Sequence, residues 1–465
     1  VKNGDADIVI GTRSAVFAPV HDLGMIVIDE EQEHTYKSDT TPKYSAHDIA
    51  RFRCAEHNAL LLLSSATPSV TSYYKAKTGT YALIELNNRY GEAKLPDVII
   101  TDMRKELSSG NDSPLSAVLK EKVAENTLSG NQSIIFLNRR GYNNFVSCRS
   151  CGETIKCPNC SVALTYHTKR FIGAGNSDNE DYLKKRINGG IMKCHYCGYT
   201  LKVPEKCPSC DSAHFMFMGY GTQRAEEEIA SISDTIRVIR MDNDTTQGKF
   251  SHDAILSAFR KGDADVLLGT QMVTKGHDFP NVTLVGVLNA DSSLYLEDYR
   301  ASERTFSMLT QVIGRAGRAD KPGMAIIQTM NPGNDVITLA AAQDYKTFYE
   351  REIRIRKALL FPPFCDIVLI TLTSQDEALL SRASVRISER LRDLLKGSFA
   401  DVPLIIFGPF EAPIYKIQGA CRMRLVIKCK LTKRTLELIS EILYEFGKNS
   451  GKRLTVSADL NPNSI

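Results

Sequence analysis

Cys148-Arg149-Ser150-Cys151 and Cys157-Pro158-Asn159-Cys160, then Cys194-His195-Tyr196-Cys197 and Cys207-Pro208-Ser209-Cys210, form four C-x-x-C pairs in one short stretch. Each pair presents two thiolates from one turn, and two such turns close a tetrahedral sulfur site. Eight thiolates at this spacing predict two Zn²⁺ ions. A redox dithiol array is the competing chemistry, but four turn-flanked pairs are more than it requires. Closing such sites contributes on the order of 10 kcal/mol of apparent folding free energy, so the module is expected to be unfolded without metal.

Outward from the cysteines, short apolar runs alternate with helical stretches, the rhythm of an α/β protein. Upstream, a helix is expected from Ser113, with Pro114 at its first position, to near Gly130, followed by a strand over 133–137. Downstream the rhythm resumes, with strands over 236–240, 265–269, 284–288 and 324–328 and helices over 222–233, 252–261 and 300–313. The cysteine module (148–217) therefore reads as an insertion in one α/β domain, begun by 113–147 and completed by 218–344. Residues 1–90 read as part of another such domain, with buried parallel strands at 8–10, 25–28 and 60–63 and helices at 45–56 and 70–78. Between them, 91–112 is polar, contains Ser108-Ser109-Gly110-Asn111-Asp112, and reads as a linker. Residues 345–465 open with a basic helix that stops before Pro362-Pro363. Strands at 366–373, 404–407, 422–429 and 454–458 and helices at 375–395 and 433–446 then predict a compact α+β domain. There, alternation puts Arg422, Arg424, Lys428 and Lys430 on one face, a basic stripe suited to phosphates or simply to solvent. The polar loop 173–190 has no assigned role.

The 465 residues suffice for about three domains. A hydrophobic share of 43%, a charged share of 24% and a net charge of +4 are those of an ordinary globular protein. No apolar run approaches the roughly 20 residues a membrane helix needs. Metal thiolates fit these cysteine pairs better than disulfides, which points to the cytoplasm.

Several motifs carry further chemistry. Ile26-Val27-Ile28-Asp29-Glu30-Glu31-Gln32 is an apolar strand ending in acids. In ATP-driven motors an Asp so placed holds Mg²⁺ and the next Glu polarises the attacking water; an ordinary strand with a solvated acidic end gives the same pattern. Ser65-Ala66-Thr67-Pro68-Ser69 follows the next strand, as a nucleotide-to-nucleic-acid link or a plain Ser-Pro turn. Later come Gly269-Thr270-Gln271, Lys275-Gly276-His277-Asp278-Phe279 and Gln311-Val312-Ile313-Gly314-Arg315-Ala316-Gly317-Arg318. The last places two arginines three apart, expected on one face of a helix end, where guanidinium groups can stabilise charge in phosphoryl transfer.

These pieces stand in the order of a superfamily 2 helicase with two RecA-like lobes. Thr12-Arg13-Ser14-Ala15 fits its DNA-contacting motif, and Phe136-Leu137-Asn138-Arg139-Arg140-Gly141-Tyr142 fits the strand opening its second lobe. With the cysteine insertion, the chain resembles the PriA family of bacterial replication-restart helicases, from residue 1 to about 460. The resemblance implies two RecA-like lobes, the first incomplete, a two-zinc module inserted in the second, and a C-terminal DNA-binding domain. It implies an ATP-dependent 3′→5′ DNA helicase that binds stalled forks and initiates primosome assembly in the bacterial cytoplasm, at forks on the nucleoid. Its cofactors would be ATP, Mg²⁺ and two Zn²⁺. The implied zinc sites are nested: Cys148, Cys151, Cys207 and Cys210 on one ion, Cys157, Cys160, Cys194 and Cys197 on the other. Spacing alone leaves sequential pairing open. Asp29, Glu30, Arg315 and Arg318 would be catalytic, with Gln311 and Gly276 also at the nucleotide. Thr12, Arg13, Tyr36, Lys37, Tyr44, Arg139, Thr270 and Lys275 would contact DNA; Tyr36, Lys37, Lys43, Tyr44 and Arg51 occupy the family's aromatic-rich loop. Implied partners are forked and single-stranded DNA, single-stranded DNA-binding protein, other primosome components and the machinery that loads the replicative helicase, with no membrane. The alternative is a zinc-stabilised, non-catalytic DNA-binding and docking scaffold. Other superfamily 2 motors lack this eight-cysteine insertion.

Two departures stand out. Gln32 occupies a position that is His in the family. No G-x-x-x-x-G-K-[ST] run occurs, since Gly248-Lys249, Gly447-Lys448 and Gly451-Lys452 all lack the following hydroxyl. With 28 residues before Asp29, the chain is expected to be a fragment lacking half of lobe 1, and not to turn over ATP alone.

Overall fold

A computed structural model of the chain describes residues 1–465 except 3, 5, 87–94, 112, 138–144, 149–154, 159–163, 169–189, 195–198, 214, 219–221, 242–250, 271–278, 295–297, 318–320, 449–452 and 465. It divides into two compact units: Val1–Glu85 with Tyr345–Phe410 and Met423–Ile465, and Leu86–Asp344 with Glu411–Arg422.

In the first unit, β1 (Met25–Ile28), α1 (Ala46–Glu56), β2 (Leu60–Leu63) and α2 (Val70–Lys77) follow one another. β1 and β2 pair in parallel, Ile28 opposite Leu63. Ser45 caps α1 by accepting from the Asp48 N–H, and Ser69 caps α2 by accepting from the Ser72 N–H. Helix α1 covers one sheet face, where Ala46 and Ala50 meet Ile28 and Val16. The strands are not buried on both faces as expected: Met25, Val27, Leu60 and Leu62 are exposed. Residues 8–10 form no strand, and Ile8 and Ile10 face solvent, because no ladder partner lies beside them among the described residues.

In the second unit, β3 (Asp97–Asp102), α3 (Met103–Ser108), α4 (Ala117–Leu128) and β4 (Gln132–Leu137) come first. The chain then leaves for β5 (Phe145–Cys148), β6 (Thr165–Thr168), β7 (Gly190–Lys193), β8 (Thr200–Lys202) and β9 (Phe215–Met218), a separate sheet of order β8-β7-β6-β5-β9. It returns through α5 (Thr222–Ala230), β10 (Val238–Met241), α6 (Ser251–Lys261), β11 (Val266–Gly269), β12 (Val282–Leu288), α7 (Ala301–Ile313), β13 (Met324–Thr329) and α8 (Asp335–Ala341). The main sheet, order β10-β11-β4-β12-β13-β3, is parallel throughout, as in a RecA-like lobe. Its central strands are mostly apolar and buried along their whole length, as a helix-covered parallel sheet requires. The cysteine sheet is thus an insertion between β4 and α5.

Two expectations fail here. Residues 91–112 are not simply a linker, because β3 pairs with β13 and α3 follows it. Sequence hides this strand because it is a half-buried edge with only Val98-Ile99-Ile100 apolar between polar residues. Helix α4 starts at Ala117 rather than Ser113: Ser116 is its cap, and Pro114 lies in the preceding turn, its carbonyl accepting from Gln328 Nε2 at 2.7 Å.

The first unit resumes with α9 (Tyr345–Ala358), β14 (Asp366–Ser374), α10 (Glu377–Lys396), β15 (Leu404–Ile417), β16 (Ala420–Cys429), α11 (Lys433–Lys448) and β17 (Leu454–Leu460), with sheet order β15-β16-β14-β17. Strand β15 runs ten residues past its expected end at 407. Gly408, Pro409 and Pro413 hid it, since such residues argue against a strand except at a sheet edge, where β15 lies. Helix α9 is less basic outside than its sequence suggested: Arg356 is buried and bonded to Glu352 at 2.8 Å. Among the described residues no helix is long and apolar enough to cross a membrane.

Candidate functional site

The acidic motif leaves the C-terminal end of β1. Asp29 is exposed there, open to a cation, and Glu30 turns the chain with φ 48°. Gln32 Nε2 donates to Glu30 Oε2 at 2.6 Å, and Ser65 Oγ donates to Gln32 Oε1. Ser65 Oγ also accepts from the Thr67 N–H at 2.9 Å, so the Ser-Ala-Thr turn and the acidic turn are one hydrogen-bonded unit. Glu31 points inward and is only 4% exposed. It accepts from the Ser69 N–H at 2.6 Å and from Ser72 Oγ at 3.0 Å.

The aromatic loop packs against this motif. Tyr36 Oη donates to the Asp29 carbonyl at 2.7 Å. Burial, then the nearby Asp29, Glu33 and Glu30 carboxylates, push the Tyr36 phenol above its ordinary pKa, keeping it a donor. Arg13 donates to the carbonyls of Thr35 and Lys37, both at 2.9 Å, and lies over the Tyr44 ring. Tyr44 also meets Phe17 edge-on at 4.8 Å. Thr12 is exposed. Lys37 donates to the Leu460 carbonyl at 2.7 Å and lies 3.3 Å from Asp459, which also pairs with Lys43 at 2.8 Å. Two cations expected to meet phosphate are therefore held by one carboxylate of β17. In the basic stripe, Lys428 sits 3.8 Å over the Phe361 ring and donates to the Leu359 carbonyl, so burial lowers its pKa. It is a packed side chain rather than an open phosphate contact.

In the second unit, Thr270 follows β11 and is half-buried. Gln311 lies in the last turn of α7, also half-buried. Arg315 is not on a helix face: α7 ends at Ile313 with Gly314 as its cap, and Arg315 lies in the turn beyond. Gly317 enforces that turn with φ 66° and its N–H on the Val282 carbonyl. Arg318, Gly276, Lys275 and Arg139 lie outside the described residues.

In the cysteine module, antiparallel β5 and β9 pair Cys148 with Phe215, which brings the Cys207–Cys210 turn beside Cys148. The sulfurs of Cys148, Cys207 and Cys210 lie within 4.8 Å of one another, Cys148 and Cys210 at 3.5 Å. Tetrahedral Zn–S bonds of about 2.3 Å put sulfurs about 3.8 Å apart, so the donor set fits zinc. The Ser209 N–H points at Cys207 Sγ, 3.4 Å away, as thiolate-bearing turns do. The Cys194 N–H bonds the Tyr199 carbonyl as that of Cys207 bonds Ser212. Cys157 and Cys194 are buried in the same small core. Cys151, Cys160, Cys197 and loop residues 173–189 lie outside the described residues.

Sequence reasoning assigned nothing to Glu31, His47 or Asp459. For Glu31 only part of the signal was present, a third acid after an apolar strand; its partners Ser69 and Ser72 lie beyond the next strand. His47 and Asp459 carried no local signal.

Three family models match: "Primosomal protein N C-terminal domain" over 357–463, "Helicase conserved C-terminal domain" over 212–320, and "PriA DNA helicase Cys-rich region (CRR) domain" over 157–170 and 188–202. The chain is 43% identical over 464 residues to the replication restart protein PriA of Bacillus subtilis (strain 168), covering 99% of this chain and 54% of that protein. It is 39% identical over 430 residues to that of Synechocystis sp., covering 91% of this chain and 49% of that protein. It thus spans about half the length of these curated relatives.

Proposed function

This chain belongs to the PriA replication-restart family, and from that premise we propose that the whole protein is an ATP-dependent 3′→5′ DNA helicase that binds stalled forks and starts primosome assembly. The observation that carries the reading is the Glu30–Gln32–Ser65 hydrogen-bonded chain, which ties the acidic strand end to the Ser-Ala-Thr turn. A binding scaffold has no need of that link. ATP with Mg²⁺ supplies the cleavable phosphoanhydride. Asp29 would hold the cation, Glu30 would orient water, and Gln311, Arg315, Arg318 and Gly276 would face the phosphates. Two Zn²⁺ would be held by the nested cysteine sets, with Cys148, Cys207 and Cys210 on one ion. DNA would be met by Thr12, Arg13, Tyr36, Lys37, Tyr44, Arg139, Thr270 and Lys275. Single-stranded DNA-binding protein and the loading machinery of the replicative helicase would be partners, at forks in the bacterial cytoplasm. This chain, with no G-x-x-x-x-G-K-[ST] run, does not turn over ATP alone in this reading.

The test uses the full-length protein. Asp29→Ala and Arg315→Ala should each abolish DNA-stimulated ATP hydrolysis and unwinding while leaving DNA binding within about twofold. Unwinding that survives both changes would favour the scaffold.

A further inference from the structure

We propose that Glu31 and His47 are positioning residues that couple the aromatic loop to the ATP-site turns, an inference that rests on the functional reading above. Glu31 accepts from the Ser69 N–H, Ser72 Oγ and, at 3.3 Å, Ser69 Oγ, all at the start of α2. His47 Nε2, which makes no hydrogen bond, lies 3.5 Å from Glu31 Oε2. The His47 ring stands edge-on to Tyr36, centroids 5.4 Å apart and planes at 87°. Tyr36 in turn donates to the Asp29 carbonyl. The contacts close a ring: Asp29, two residues along the chain to Glu31, across to His47, to Tyr36, and back to Asp29. From Glu31 a branch reaches the helix that follows Ser65-Ala66-Thr67.

Capping alone does not require this arrangement. Ser69 already caps α2 through its own hydroxyl, which accepts from the Ser72 N–H at 3.2 Å. A buried carboxylate is costly unless its acceptors are used, and Glu31 meets that condition only while the start of α2 keeps its present position, with the His47 imidazole of α1 set 3.5 Å from it. A base stacking on Tyr36 would turn its ring against His47. That motion reaches Glu31 and the Asp29 carbonyl together, so nucleic acid on the loop is sensed at both ATP-site turns.

The experiment measures ATP hydrolysis by the full-length protein with and without single-stranded DNA, and DNA affinity, for Glu31→Gln, Glu31→Ala and His47→Ala. The ratio of stimulated to basal rate should fall about tenfold in Glu31→Ala and His47→Ala, the size expected on removing one member of a network. DNA affinity should hold. Glu31→Gln, whose amide oxygen still accepts from Ser69, should recover part of the ratio. If Glu31→Ala fails to fold, His47→Ala, on the half-buried face of α1, carries the test. Basal and stimulated rates falling in proportion would reduce both residues to structural roles and overturn the proposal, as would an unchanged ratio. A wild-type protein whose turnover ignores DNA would overturn the functional reading, and the coupling role with it.

Discussion

Ser65 Oγ donates to the side-chain oxygen of Gln32, whose amide nitrogen donates to Glu30. Gln32 makes this bridge because an amide offers an acceptor to one side and a donor to the other. Ser65→Ala removes the donor and leaves Gln32 free to turn. In the full-length protein, unwinding should then fall about fivefold while ATP hydrolysis falls no more than about twofold, since a neutral hydrogen bond contributes roughly 1 kcal/mol. Parallel loss of both rates would show that the bridge serves hydrolysis rather than its coupling.

Asp459 holds Lys37 and Lys43 at 3.3 and 2.8 Å. Asp459→Asn removes the competing anion and should tighten binding of single-stranded DNA. Each lysine freed to meet a phosphate steepens the log–log salt dependence by about 0.7. Fluorescence anisotropy across a salt series checks this. Weaker binding with an unchanged slope would mean that Asp459 orders the loop rather than masks it.

Much of this was legible in the sequence, for identifiable reasons. Strands β4, β11 and β12 are apolar runs buried on both faces, and length and flanking polar residues gave them away. The four cysteine pairs announce a metal module by chemistry alone. Strand β3 was lost because a half-buried edge strand needs little apolar sequence, and β15 because its prolines are tolerated at an edge. Arg315 was expected on a helix, but its flanking glycines end that helix. The contacts of Lys37 with Asp459 and of Glu31 with His47 join residues far apart in sequence, and no local pattern encodes them.

The cysteine cluster makes a compositional prediction. The full-length protein should bind about two Zn²⁺ per chain by elemental analysis, and Cys207→Ser should lose about one. Removing a thiolate next to Cys148 and Cys210 should also loosen β5 against β9, seen as faster hydrogen exchange over 145–148 and 215–218. Retention of both ions by the variant would exclude Cys207 as a ligand.

Gly317 and Gly262 test the turn after α7. Both have positive φ, 66° and 83°. A Cβ on Gly317 would clash with the Gly323 backbone nitrogen, whereas one on Gly262 meets nothing within 4 Å. Gly262→Ala should cost about 1 kcal/mol from backbone strain alone. Gly317→Ala should cost roughly 3 kcal/mol or more, because backbone must move and Arg315 with it. Denaturant midpoints for the two variants should differ accordingly; equal midpoints would mean that the close approach to Gly323 relaxes freely.

Acid stability should depend on Asp265. Its burial opposes ionisation, but the hydrogen bonds from the Arg237 side chain and N–H, with the guanidinium charge, outweigh it and hold the carboxyl below the usual aspartate range. The pair is bidentate, at 2.7 and 3.0 Å, and fastens the start of β11 beside β10. Because the folded-state pKa is the depressed one, the unfolded chain takes up the proton first. The stabilisation is full above the unfolded value of about 3.9 and is lost as pH falls through the folded one. With Arg237 more than half exposed, the contribution is about 1 kcal/mol or less. Wild-type and Asp265→Asn proteins should therefore differ in thermal midpoint near neutral pH and converge as pH drops below about 4. A difference that persists unchanged into acid would assign the effect to packing rather than to the ion pair.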